Sequence, residues 1–116
     1  MKHVSVSLTP EAYEVYQCLL NSAPNSKQEK AILNAFLQKI ELIKKTPHYG
    51  QAIAKNLIPV EYKKDYDLKN LFRVELPYFW RMLYTLMSGN EEIEIAIVVL
   101  DIVDHKRYDK LFGYKK

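Results

Sequence analysis

The sequence predicts an α+β domain of two layers. An N-terminal strand and a helical hairpin pack on an antiparallel sheet of about four strands, and a short helix closes the chain. Three observations carry this expectation. Apolar side chains recur at helical spacing through residues 10–45, then alternate or run continuously as strands do through residues 70–103. Turn-forming residues punctuate the joins. A length of 116 residues with 48% hydrophobic content is enough to bury one core, so residues 1–116 read as a single domain.

The opening "HVSVSLT" alternates β-branched and polar residues and reads as a strand. Thr9 offers an N-cap, Pro10 suits the first helical position, and Ala12, Val15, Tyr16, Leu19 and Leu20 follow on one side of a helix over 10–22. "SAPNS" ends it. In "SKQE", Ser26 and Glu29 form a capping-box pattern in which each side chain can satisfy the other's amide. Ile32, Leu33, Phe36, Ile40 and Ile43 continue as one apolar stripe. Lys44 and Lys45 suit the negative end of the helix dipole, and Pro47 lies beyond. Residues 47–68 predict a helical turn near Gln51–Lys55 and then an irregular crossing. There Tyr49, Tyr62, Tyr66, Lys55, Lys63 and Lys64 either line a groove or simply cover the core.

Three strands follow. "NLFRVEL" places Phe72, Val74 and Leu76 on one face. "YFWRMLYTLM" places Trp80, Met82, Tyr84 and Leu86 on one face and Phe79, Arg81, Leu83 and Thr85 on the other. "SGNEE" reads as a hairpin turn. "IEIAIVVLDIV" has the near-continuous apolar character of a strand buried on both faces. A helix over 105–112 completes the order.

Charge is unevenly placed. Residues 1–103 carry twelve Lys and Arg against twelve Asp and Glu, whereas residues 104–116 carry five against two, the whole of the net +3. A basic cluster mixed with tyrosines can attract phosphates and stack bases, or it can be a solvated tail. No apolar run approaches the roughly 20 residues of a membrane-spanning helix. Nothing resembles a signal peptide. Cys18, the sole cysteine, excludes an intrachain disulfide, fits a cytoplasmic setting, and is expected to be buried on the first helix. His3 and His48 are too scattered to suggest a metal site, and no cofactor is expected.

Arg81 stands out, because a guanidinium is costly to bury without a partner. Either it pairs with Glu75 or Asp101 on neighbouring strands, or its face opens on something anionic. The alternation favours a groove, with the aromatics turned toward the helices.

Three segments in order, "LFRVEL", "FWRMLY" and "IVVLDIVDHKRYDKLFGY" behind a helical hairpin, resemble the RelE/ParE toxin superfamily of toxin–antitoxin systems. The likeness is strongest from residue 69 onward and only topological for the N-terminal helices. It implies a toxin held inactive by a cognate antitoxin that wraps it, with a toxin–antitoxin heterotetramer among the assemblies. RelE-like members cleave mRNA in the ribosomal A site, whereas ParE-like members poison DNA gyrase and lack ribonuclease chemistry. A third reading is a degenerate, nucleic-acid-binding or regulatory member.

RNA cleavage by the ribose 2′-hydroxyl needs a proton acceptor, positive charge on the phosphorane and a donor for the departing oxygen. By the resemblance, Arg81 matches the arginine that grips the scissile phosphate, and Arg73 a basic catalytic residue one strand earlier. His105 matches the family's His-basic motif and is the candidate for proton transfer. Lys106 and Arg107 would hold phosphates or rRNA, with Lys110 beside them. Tyr108 could stack on a base or donate a proton, and it competes with Phe112 and Tyr114 for the family's late aromatic position. Glu75 departs from the pattern, acting as a general base or pairing with Arg81 and quenching it.

Overall fold

The computed structural model describes residues 3–66, 68–88 and 94–113. The elements run β1 (His3–Leu8), α1 (Pro10–Ser22), α2 (Lys27–Lys45), β2 (Gln51–Ala52), α3 (Val60–Tyr66), β3 (Phe72–Glu75), β4 (Arg81–Ser88), β5 (Glu94–Val103) and α4 (His105–Phe112). The fold is α+β, and the five strands form one sheet in the order β1-β5-β4-β3-β2.

Two features depart from the sequence expectation. The sheet is mixed, because β1 pairs parallel to β5, while β2, β3, β4 and β5 pair antiparallel in turn. The helical hairpin α1–α2 is the crossover that carries the chain back from β1 to the rest of the sheet, and a parallel pair requires such a connection. The sheet is also covered on both faces. Ala12, Leu19, Ile32, Phe36 and Ile43 of the hairpin pack on Phe72, Val74, Met82, Tyr84, Ile97, Val99 and Ile102. On the opposite face Ile58, Tyr62 and Tyr108 pack on Leu71, Leu83, Leu100 and Val103. The period-2 alternation of β4 thus feeds two cores, β3 gives Phe72 and Val74 to the first, and β5, apolar apart from Glu94 and Asp101, serves both.

Local chemistry sets the helix ends. Thr9 Oγ1 accepts from the Ala12 amide and donates to the Leu100 carbonyl at 2.6 Å, tying the start of α1 to β5. At α2, Ser26 Oγ accepts from the Glu29 amide. The Ser26 amide goes to the Ala23 carbonyl instead of to the Glu29 side chain, because a 3₁₀ turn over Ala23–Asn25 places that carbonyl first, so one half of the expected box forms.

The 47–68 region is more ordered than expected. Gln51 and Ala52 are a strand paired with Arg73 and Phe72, not a helical turn. The crossing segment contains α3, whose Tyr62 is buried. Lys55 and Lys63 line an open groove with Lys69, while Tyr66 donates to Glu11. β4 begins at Arg81, three residues later than expected, because Pro77–Phe79 form a 3₁₀ turn. Cys18 is exposed, not buried, since it lies off the stripe that Ala12 and Leu19 present to the sheet. Leu20, also expected on that stripe, is 38% exposed. Most of the expected "SGNEE" turn lies outside the described residues.

Candidate functional site

The end of the β3–β4 hairpin brings the cationic residues together. Arg73 and Glu75 lie two apart on β3 and share a face, and the register sets Glu75 opposite Arg81 and Arg81 opposite Val103. Two residues beyond Val103, α4 begins. Asp104 is its N-cap, accepting from the Arg107 amide at 2.9 Å, and His105 therefore leaves the first turn beside Arg81.

Arg81 Nη1 stands 3.1 Å from His105 Nδ1 and donates to the Phe79 carbonyl at 3.0 Å. A guanidinium has no lone pair to offer, so Nδ1 must be the acceptor. The imidazole proton then sits on Nε2, which faces Asp109 Oδ2 at 3.3 Å, one helical turn on. His105 is thus held from both sides. Asp109 was not singled out in the sequence, although His and Asp at i and i+4 of an expected helix were visible in "HKRYD".

Beneath this pair lies Tyr108. Its ring is buried, and the Arg81 guanidinium carbon sits 4.5 Å from the ring centroid, that of Arg73 5.8 Å away. Both cations rest over an electron-rich face. Arg73 Nη1 donates to the Tyr108 hydroxyl at 2.7 Å, and its Nη2 to Gln51 Oε1. Phe112 packs against Tyr108 in a tilted ring contact with centroids 4.5 Å apart. Tyr108 is therefore a floor under the two arginines and is too buried to stack on a base. Tyr114 lies outside the described residues.

Glu75 bridges the arginines. Its Oε2 is 3.2 Å from Arg73 Nε and its Oε1 3.3 Å from Arg81 Nε. The Arg81 contact is ionic, without the alignment of a hydrogen bond. Asp101, the other partner foreseen for Arg81, is occupied elsewhere. It is buried, accepting from the Tyr62 hydroxyl at 3.2 Å and from the Ile102 amide at 3.0 Å. Burial raises its carboxyl above the ordinary range, against the pull of those two donors and of Arg107.

The remaining basic candidates do not converge with Arg81. Arg107 projects from the opposite flank of α4 to His105 and pairs with Glu61 at 2.8 Å. Lys106 and Lys110 lie on the exposed side of α4. An open groove of ≈ 300 Å³ is lined by Gln51, Ala52, Leu57, Arg73, Tyr108 and Phe112. Arg81 and His105 are not part of that lining, so the groove expected beneath the pair is displaced toward Arg73. Among the described residues, no three His, Cys, Asp or Glu side chains gather as a metal site, and no helix is long and apolar enough to cross a membrane.

The fold and the site define a class: an α+β domain with a layered arginine–tyrosine–histidine cluster at one end of its sheet. No protein-family model matches the chain, and no curated protein matches it.

Proposed function

We propose that this chain is a RelE-like toxin, a ribosome-dependent mRNA endoribonuclease of a type II toxin–antitoxin pair, acting in the cytoplasm and restrained by its antitoxin. The observation that carries this reading is the 3.1 Å contact between Arg81 and His105. It sets a permanently charged phosphate ligand against a proton-transfer group, with Arg73 on the same aromatic floor. An entering phosphate would compete with Nδ1 for the Arg81 Nη1 proton. Once Arg81 turns to the phosphate, Nδ1 is exposed as a base for the ribose 2′-hydroxyl, and Asp109 stabilises the imidazolium that forms. The 2′-oxygen bonds to phosphorus, the bond to the 5′-oxygen breaks, and the imidazolium returns its proton to that oxygen. The products are a 2′,3′-cyclic phosphate and a 5′-hydroxyl end.

Primer extension on translated mRNA after induction tests this. Codon-positioned cuts are expected, and Arg81→Ala or His105→Ala should each reduce them by roughly 10²-fold or more. Intact mRNA with accumulated gyrase–DNA cleavage complexes would replace this reading with the ParE-like one.

The double bridge of Glu75 favours a second reading, a binding or regulatory member whose cationic cluster is neutralised. Glu75→Gln separates the two. In an active nuclease it releases both arginines toward phosphate and keeps or raises cleavage. In a neutralised member it creates RNA affinity, steeply lost with salt, where wild type has none.

A further inference from the structure

The turn from β3 to β4 is built against the preferences of its own residues. Tyr78 and Phe79 have φ of 61° and 63°, both in the left-handed region that glycine and asparagine normally fill. Their side chains do not offset that strain by packing, since Tyr78 is 54% and Phe79 71% exposed. Two neighbouring aromatics in solvent, on a strained backbone, are an outlier that asks for a functional reason. Their location supplies one. The Phe79 carbonyl accepts from Arg81 Nη1 at 3.0 Å, and the Phe79 ring lies 6.0 Å from the His105 ring, centroid to centroid. The turn therefore holds a bare aromatic surface directly beside the cationic pair.

The geometry points to Phe79, flanked by Tyr78, as a stacking platform for an unpaired nucleobase next to the phosphate that Arg81 would hold. The inference rests on the ribonuclease reading and specifies its substrate as single-stranded RNA with a base turned out of its stack. Aromatic stacking is tolerant of base identity, because every base has a π-face, and it complements the charge contact that holds the backbone. It also replaces the stacking role that burial denies to Tyr108.

The probe is a fluorescein-labelled messenger strand, 2′-deoxy across the exposed codon so that it cannot be cut. It is presented free and in a ribosome stalled with an empty A site. Phe79→Leu, which keeps bulk but not the π-face, should weaken binding roughly tenfold, whereas Phe79→Trp should bind as wild type. Phe79→Gly should weaken binding equally while raising the melting temperature, since glycine takes the positive φ without strain. An abasic codon should cost wild type the same factor and cost Phe79→Leu nothing further. Phe79→Leu binding like wild type, or an abasic codon penalising both proteins equally, would overturn the platform. If Arg81→Ala abolishes binding while Phe79→Leu does not, the platform alone fails. If wild type binds neither presentation, the platform and the ribonuclease reading fall together.

Discussion

Tyr84 holds down the segment that leads into the cationic site. Its ring is fully buried and stacked on Phe72, and its hydroxyl donates to the Pro47 carbonyl at 2.8 Å and accepts from the Gly50 amide at 2.9 Å. Those two bonds anchor residues 47–50 and deliver Gln51 to its place beside Arg73. A methyl group at Gly50 would meet the Tyr84 ring at 2.9 Å and the Arg73 carbonyl at 3.0 Å, neither of which can withdraw cheaply. Gly50→Ala is expected to destabilise the fold by roughly 1–3 kcal/mol through overpacking. Tyr84→Phe should cost a similar amount, roughly 1–3 kcal/mol, because it strands the Gly50 amide. Urea denaturation of each variant measures both. The residue-scale reading of Tyr84 from sequence, an aromatic turned toward the helices, holds for its ring. Its hydroxyl partners, being backbone atoms of an irregular segment, carried no sequence signal.

Two helix starts with the same capping chemistry differ in what else they hold. Thr9 is buried and bonds both the Ala12 amide and the Leu100 carbonyl, whereas Ser26 is partly buried and caps α2 alone. Thr9→Ala should therefore cost more than Ser26→Ala, which is expected to lose about 1 kcal/mol, the usual worth of a cap. Thermal unfolding of the pair tests the order. Elements governed by local rules were legible in the sequence. α1 and α2 start after the residues named as caps, α4 spans the expected 105–112, and the alternation of β4 assigns Arg81 and Tyr84 to opposite faces. Elements governed by distant partners were not. β2 is strand only because Arg73 and Phe72 lie alongside it, and α3 is short, so its helicity depends on burying Tyr62. In the site, Arg81, Arg73 and His105, grouped in the sequence only by the resemblance, lie together, whereas the roles of Tyr108 as floor and Arg107 as partner of Glu61 depend on tertiary placement and carried no sequence signal.

Across the whole molecule, the second core carries a proton linkage. Burial raises the Asp101 carboxyl above its ordinary 3.8, and burial with the adjacent Asp101 carboxylate raises the Tyr62 hydroxyl well above 10.0. An acid whose pKa is higher folded than unfolded holds more protons in the folded state between the two values. Stability therefore falls as pH climbs through that interval, by about 1.4 kcal/mol for every pH unit the interval spans. For Asp101 the loss begins above pH 3.8 and ends at its raised folded value; for Tyr62 it begins above pH 10.0. Asp101→Asn keeps one acceptor oxygen for the Ile102 amide, and its Nδ2 can donate to the Tyr62 hydroxyl oxygen once that hydroxyl turns. It is expected to gain on wild type from acidic to neutral pH and to flatten that limb of the stability profile, read from denaturant midpoints across a pH series. The strand order has a separate consequence for biosynthesis. β5 stands between β1 and β4 and is the last of the strands to be translated. Until it is made, the first strand has no neighbour and the helical hairpin covers an incomplete sheet, so a nascent chain must wait with apolar surface unburied. The histidine follows β5 directly. A growing polypeptide therefore cannot bring its arginine–histidine pair together until every strand of this sheet has left the ribosome, so the cluster assembles only after the framework that positions it.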